Sequence, residues 1–457
     1  MNRAEDTAER GSRSRRGRGT RRRFLRGLLV LGGLGALAGA GGVGHYLATL
    51  FRPRAEPHRG HLALSGATVL TGEGLEPRAR TTVLISDGVI TRVADDGDAD
   101  LPEGTETVHL SGHTLLPGLI DLHVHLGFPQ QEPGDELGPT DLPGVVYEMM
   151  RYAPSARRAL LEHGVTTVRG LGDDHAWITE MRRMLREGEL EGPRLFTSGP
   201  LFTTPGGHPI ATFGVETESD TVRLPATTEE ARETVRELAA GGDPVDLIKV
   251  VQERGDPEQL ELAPLPRDVL EAIVAEAHEH GLFVTAHWGS EADLADALAA
   301  EVDGLEHLEV RGVAEGWPED LLTELVRRDI AVTPTLAVTE VGTDQDQHRR
   351  LGERLDELRV AGGRILAGSD AAVPGVPFGA GLHRELELLA ESGMGPHAAL
   401  RAATAEAARV LGTDRIGTIA EGRAADLLAV AGDPLSDITA IREVAAVYRD
   451  GRPVVQR

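Results

Sequence analysis

Leu116-Pro117-Gly118-Leu119-Ile120-Asp121-Leu122-His123-Val124-His125 is the stretch on which the fold turns. Its apolar run is too short for a spanning helix and reads as a buried strand over 116–126. Side chains alternate along a strand, so His123 and His125 point to the same side. A core strand that ends in two imidazoles on one face has put polar groups where apolar ones cost less. That needs a partner, and a metal ion is one.

Outward from this strand the chain has a regular rhythm. Further strand candidates lie at 165–170, 194–198, 245–251, 282–288, 304–309, 331–338 and 364–371, with helical stretches between most of them. One helix is expected over Leu265–Gly281, with Leu270, Ile273, Val274 and Ala277 on one face, and another over Asp320–Arg328. Eight strand-then-helix units over about 300 residues predict an α/β fold, a (β/α)₈ TIM barrel. Residues 61–114 read instead as short strands and turns, and so does the end of the chain. There Ala425–Val430 and Val444–Tyr448 are apolar runs and Asp450-Gly451 marks a hairpin. The expected organisation is a leader over 1–54, a small β-sandwich domain formed by both chain ends (55–114 and 413–457), and the barrel over 115–412.

In such a barrel the chemistry sits at the carboxyl ends of the strands. His287 ends the fifth expected strand, His307 the sixth and Asp370 the eighth. Any one of them alone reads more simply as a structural residue. Together with His123 and His125 they form a histidine–carboxylate set suited to Zn²⁺, or to Mn²⁺, Fe²⁺ or Co²⁺.

Composition singles out a sixth position. The chain has 457 residues and a formal charge of −26, with no cysteine. Thiolate metal sites, disulfides and cysteine nucleophiles are excluded. A body this acidic repels phosphate and argues against nucleic acid as a partner. Every basic residue is arginine except Lys249, which ends the fourth expected strand. Arginine stays protonated, whereas a buried lysine amine can lose its proton and take up CO₂ as a carbamate, a carboxylate able to bridge two metals.

The charge is uneven. Residues 1–54 hold twelve arginines and three acids, a net of +9, which leaves −35 on residues 55–457. Within that head, Thr20-Arg21-Arg22-Arg23-Phe24-Leu25-Arg26 precedes an uncharged stretch from Gly27 to Phe51. This resembles a twin-arginine export signal, with arginine for lysine at its last position. The expectation is export across the cytoplasmic membrane by the twin-arginine machinery. The signal is either cleaved near Ala38-Gly39-Ala40 or retained as an anchor over residues 27–51.

His123-x-His125, Lys249, His287, His307 and Asp370, in that order, resemble the metal site of the amidohydrolase superfamily. Leu116–Asp121, Gly164–Arg169 and the tail Ile416–Leu427 carry the same resemblance. Pro205-Gly206-Gly207-His208 is similar to a loop of the imidazolonepropionase-related and Xaa-Pro dipeptidase-like group. The sequence departs from that group after the fourth strand, where Val250-Val251-Gln252-Glu253-Arg254-Gly255-Asp256 replaces a glycine-rich loop. The resemblance implies two divalent metal ions, bridged by carboxylated Lys249, and a hydroxide that cleaves a small amide such as a dipeptide or an N-acyl amino acid. His123, His125 and Asp370 would hold one ion, and His287 and His307 the other. Asp370 would act as general base and then general acid.

His208 would touch the scissile carbonyl or the substrate carboxylate, unless it is a loop histidine bonded to backbone. Arg169 is a second candidate for the substrate carboxylate, with a structural ion pair as its alternative. A lactone, a phosphotriester or a cyclic amidine fits the same ligand set, and a non-enzymatic exported binding protein is a third reading. The sequence leaves a homo-oligomer open.

Overall fold

The structure, a computed structural model, describes residues 59–127, 142–313 and 315–457. The expected export segment lies outside the described residues. Residues 55–457 form one compact unit.

Eight parallel strands make the barrel: β1 (Leu119–Val124), β2 (Val165–Gly170), β3 (Arg194–Thr197), β4 (Leu247–Gln252), β5 (Phe283–Trp288), β6 (Gly304–Glu306), β7 (Ala331–Thr333) and β8 (Arg364–Ile365). β1 pairs with β2 and β2 with β3, while β4 through β8 pair in sequence order. The Asp246 amide donates to Thr197 O at 2.9 Å and joins β4 to β3. The Leu122 amide donates to Ala367 O, and the Asp370 amide to His123 O at 2.8 Å, which closes the ring between β8 and β1. β1, β2 and β4 are buried along their whole lengths, as strands covered on both faces must be.

The opening stretch proves to be two strands. His113–Pro117 pairs antiparallel with Leu427–Ala431, while β1 begins only at Leu119. The break falls at Gly118, where a Cβ would come within 2.2 Å of Thr166 Oγ1. A close approach to β2 therefore requires glycine at the point where the chain passes from one sheet to the other.

Both chain ends meet in one eight-stranded sheet. The N-terminal side gives His61–Thr71, Glu76–Ser86, Val89–Asp95, Glu106–His109 and His113–Pro117. The C-terminal side gives Leu427–Ala431, Val444–Arg449 and Arg452–Gln456. Period two explains its place. In Leu427–Ala431, Leu427 and Ala429 join a core internal to this sheet, and Leu428 and Val430 join the barrel core. Asp426, buried beside it, accepts from Arg194 Nε at 2.6 Å and so ties β3 to the C-terminal strands.

Helices cover the barrel where the sequence periodicity puts them. The helix Arg267–Glu279 turns Leu270, Ile273, Val274 and Ala277 inward, all at most 1% exposed. Gly281, at φ +69°, follows its last turn. The helix Glu319–Arg327 buries Leu325.

Candidate metal centre

β1 builds the floor of the site. Asp121 and His123 are buried polar residues two positions apart, with His125 following at the strand's end. Asp121 Oδ1 accepts the Ser369 amide at 2.9 Å and its Oδ2 accepts the Ser369 hydroxyl at 2.6 Å. That stitch fixes the segment after β8 and sets Asp370 over the two histidines. Burial raises the Asp121 carboxyl to about 6, against the pull of the Ser369 hydrogen bonds.

His125 Nε2 lies 3.0 Å and His123 Nε2 3.4 Å from Asp370 Oδ1. The donor atoms of these three residues lie within 4.8 Å of one another, close enough for one ion. His307 Nδ1 is 3.7 Å from the other Asp370 oxygen. The His307 ring is centred 4.9 Å from that of His123 and 4.9 Å from that of His287. His307 and Asp370 both adopt left-handed backbone, at φ +69° and +61°. Such conformations are strained for residues with a Cβ and persist where their surroundings impose them.

Lys249, on β4, is 3% exposed, and its Nζ has no hydrogen-bond partner among the described residues. An unpaired buried ammonium is costly. Burial accordingly draws its pKa down to about 8, against the attraction of Glu306 and Asp370. A neutral amine is then within reach near neutral pH, as carbamate formation requires. The unpartnered nitrogen acts on the charge of His123, His307 and Asp370, which fits a metal-binding role for the group.

Several residues that sequence reasoning did not single out hold the histidines in place. Glu306 lies buried beneath His123 and accepts from its Nδ1 at 2.8 Å. It also accepts from Arg169 Nη2 and Thr285 Oγ1, each at 2.6 Å. Burial alone would raise this carboxyl, but Arg169 and His123 hold it well below the usual range. Glu253 accepts from His287 Nε2 at 3.0 Å and from Arg311 Nη2 at 2.7 Å. Thr335 Oγ1 lies 2.8 Å from His307 Nδ1. A partner on one ring nitrogen fixes the tautomer and leaves the other nitrogen its lone pair. By this rule His123 presents Nε2 and His287 presents Nδ1. The only signal in the sequence was position, since Glu306 adjoins His307 and Glu253 stands where the loop departs from the family pattern.

Two expected contacts differ in standing. His208 reaches the site, stacked on His287 with ring centres 4.8 Å apart and planes within 5°. Its Nδ1 lies 2.8 Å from Thr212 Oγ1. Burial and the neighbouring His287 lower its pKa to about 3, so the ring is neutral. Arg169, by contrast, is 1% exposed and donates to Leu122 O at 2.6 Å as well as to Glu306. The structural ion pair holds for Arg169, and the substrate-carboxylate role does not, because its guanidinium is enclosed in the barrel wall.

Comparison with known proteins agrees with this geometry. The sequence profile described as "Amidohydrolase family" matches residues 114–454. Ochratoxinase of Aspergillus niger is 26% identical over 426 residues, covering 83% of this chain and 83% of its own. An uncharacterised protein of Mycobacterium tuberculosis is 29% identical over 399 residues, covering 84% of this chain and 92% of its own. Among solved structures, a prolidase complexed with N-methylphosphonate-L-proline superimposes with a TM-score of 0.69 at 26% identity. That match covers 87% of this chain and all of the other.

Proposed function

The chain belongs to the amidohydrolase family, and from that premise we propose that it is a two-metal hydrolase cutting the amide bond of dipeptides or N-acyl amino acids. The observation that carries the reading is the buried, unpartnered Lys249 Nζ, close enough to His123, His307 and Asp370 to act on their charge. His123, His125 and Asp370 would hold one ion and His287 and His307 the other, with Lys249 as its carbamate between them. Two divalent ions, Zn²⁺ by preference, would supply Lewis-acid polarisation of the carbonyl and a hydroxide nucleophile near neutral pH.

The protein's own groups do the rest. Carbamate formation joins the neutral Lys249 amine to CO₂ through a new N–C bond and releases one proton. His123 and His125 keep Asp370 ionised, at about 2, against the upward push of burial. Asp370 is thus ready to take the proton of the attacking water and hand it to the departing amine. His208, neutral and stacked beside His287, is placed to donate to the developing oxyanion. We assign residues 1–54 to twin-arginine export, with the barrel acting outside the cytoplasmic membrane.

The test is a substrate panel on metal-loaded protein. Dipeptides and N-acyl amino acids should turn over and lactones and phosphotriesters should not, with two ions per chain by elemental analysis. Lys249→Ala should lose most activity and metal. Full loading and turnover in that variant would sink the carbamate.

A further inference from the structure

We propose that Arg311 binds the carboxylate of the substrate and that Glu253 holds it in position to do so. The inference rests on the reading just given, because dipeptides and N-acyl amino acids carry a carboxylate beside the scissile amide. The site therefore needs a cation near its mouth. Arg169 is enclosed in the barrel wall. Lys249 lies on the floor, and Arg254 directs both terminal nitrogens to Asp293 and Asp296.

Arg311 is differently placed. It lies in the short helix Val310–Val313 that follows β6, and its side chain is 35% exposed. Among the described residues only its Nη2 is engaged, on Glu253 Oε1 at 2.7 Å. The other Glu253 oxygen accepts from His287 Nε2. One carboxylate therefore separates the guanidinium from a ring assigned to the metal. A guanidinium has five donors in a rigid fork suited to carboxylate, and Glu253 occupies one nitrogen. A cavity of about 580 Å³ opens beside Arg311, lined also by Glu291, Glu315, Asp344, Asp346 and Arg350.

The arrangement depends on Gly289, just past the end of β5. A Cβ there would come 2.7 Å from Glu253 Cγ and 2.9 Å from Arg311 Nη2. Glu253 sits in the segment that departs from the family's glycine-rich loop. The carboxylate contact is therefore built from this chain's own residues. With Arg311 anchored in advance, less side-chain freedom is lost when substrate binds.

The experiment compares amide cleavage of N-acetyl-L-amino acids with that of their methyl esters, on metal-loaded full-length protein. Charged hydrogen bonds of this kind are worth about 10- to 100-fold in kcat/KM. The native protein should prefer the free acids by that factor. Arg311→Gln should reduce the preference to within about 2-fold. Arg311→Lys should keep an intermediate preference, because a point charge lacks the fork. A native enzyme that cleaves acid and ester equally well overturns the proposal, as does a preference that survives in Arg311→Gln. If the native enzyme cleaves neither amide, the amide-hydrolase reading itself has failed and this inference falls with it.

Discussion

The two ends of the site are built on different principles. At the β1–β8 corner, His123, Asp370, Asp121 and Glu306 are nearly sealed from solvent and locked by strand hydrogen bonds and the Asp121–Ser369 stitch. At the β4–β6 end, His287 and Glu253 are each a tenth exposed, and Arg311 more so. Their contacts come from loop side chains. The first end is a rigid holder whose geometry is fixed by the barrel's closure. The second can differ between relatives without disturbing that closure.

That contrast predicts a graded response to mutation. Glu306→Ala should do the most damage. It leaves Arg169 and His123 facing an empty buried position, and breaking such a pair costs about 3–5 kcal/mol. Thermal or denaturant unfolding of the metal-free protein measures this, and a loss under 1 kcal/mol would refute the rigid-holder description. Glu253→Ala should be milder for folding but should lower metal affinity about 10- to 100-fold through the loosened His287 ring. Titration with Zn²⁺ buffers would show it, with one tight ion retained at the β1–β8 corner. Equal weakening of both ions would contradict the separation of the two ends.

The smallest effect lies behind the closed corner. His383 is buried and donates from Nε2 to His163 O at 2.8 Å, and burial holds its pKa near 3. The unfolded ring takes up a proton near 6.5, while the folded one refuses it until about 3. Stability from this group is complete above 6.5 and is lost as pH falls toward 3. The native protein should therefore lose about 1 kcal/mol more than His383→Gln between pH 6.5 and 5.5. Parallel stability curves for the two proteins would rule the effect out.

Much of the site was legible before folding because strand ends carry it. His123 and His125 share a face by period two, and His287, His307 and Asp370 each fall at the end of an expected strand. Lys249 stood out by composition alone. The supporting groups were not legible, since Glu306 lies 183 residues from His123 and Glu253 lies 34 from His287. Nothing local marks such a pair, and a carboxylate beside an apolar run reads equally well as a solvated end. Arg169 shows the same limit from the other side. An arginine at a strand end could face substrate or the wall, and only the position of Glu306 settles which.

By itself the sequence determined the alternation of strands and helices, the joining of the two chain ends and the candidates for a metal site. These follow from local periodicity and residue chemistry. The tertiary structure decided which nitrogen His123 and His287 present, that Arg169 is closed off while Arg311 is open, and that one run of residues divides at Gly118 between two sheets. Those outcomes depend on what packs across the barrel. A side chain's direction and protonation are set by neighbours that the chain brings together only when it closes.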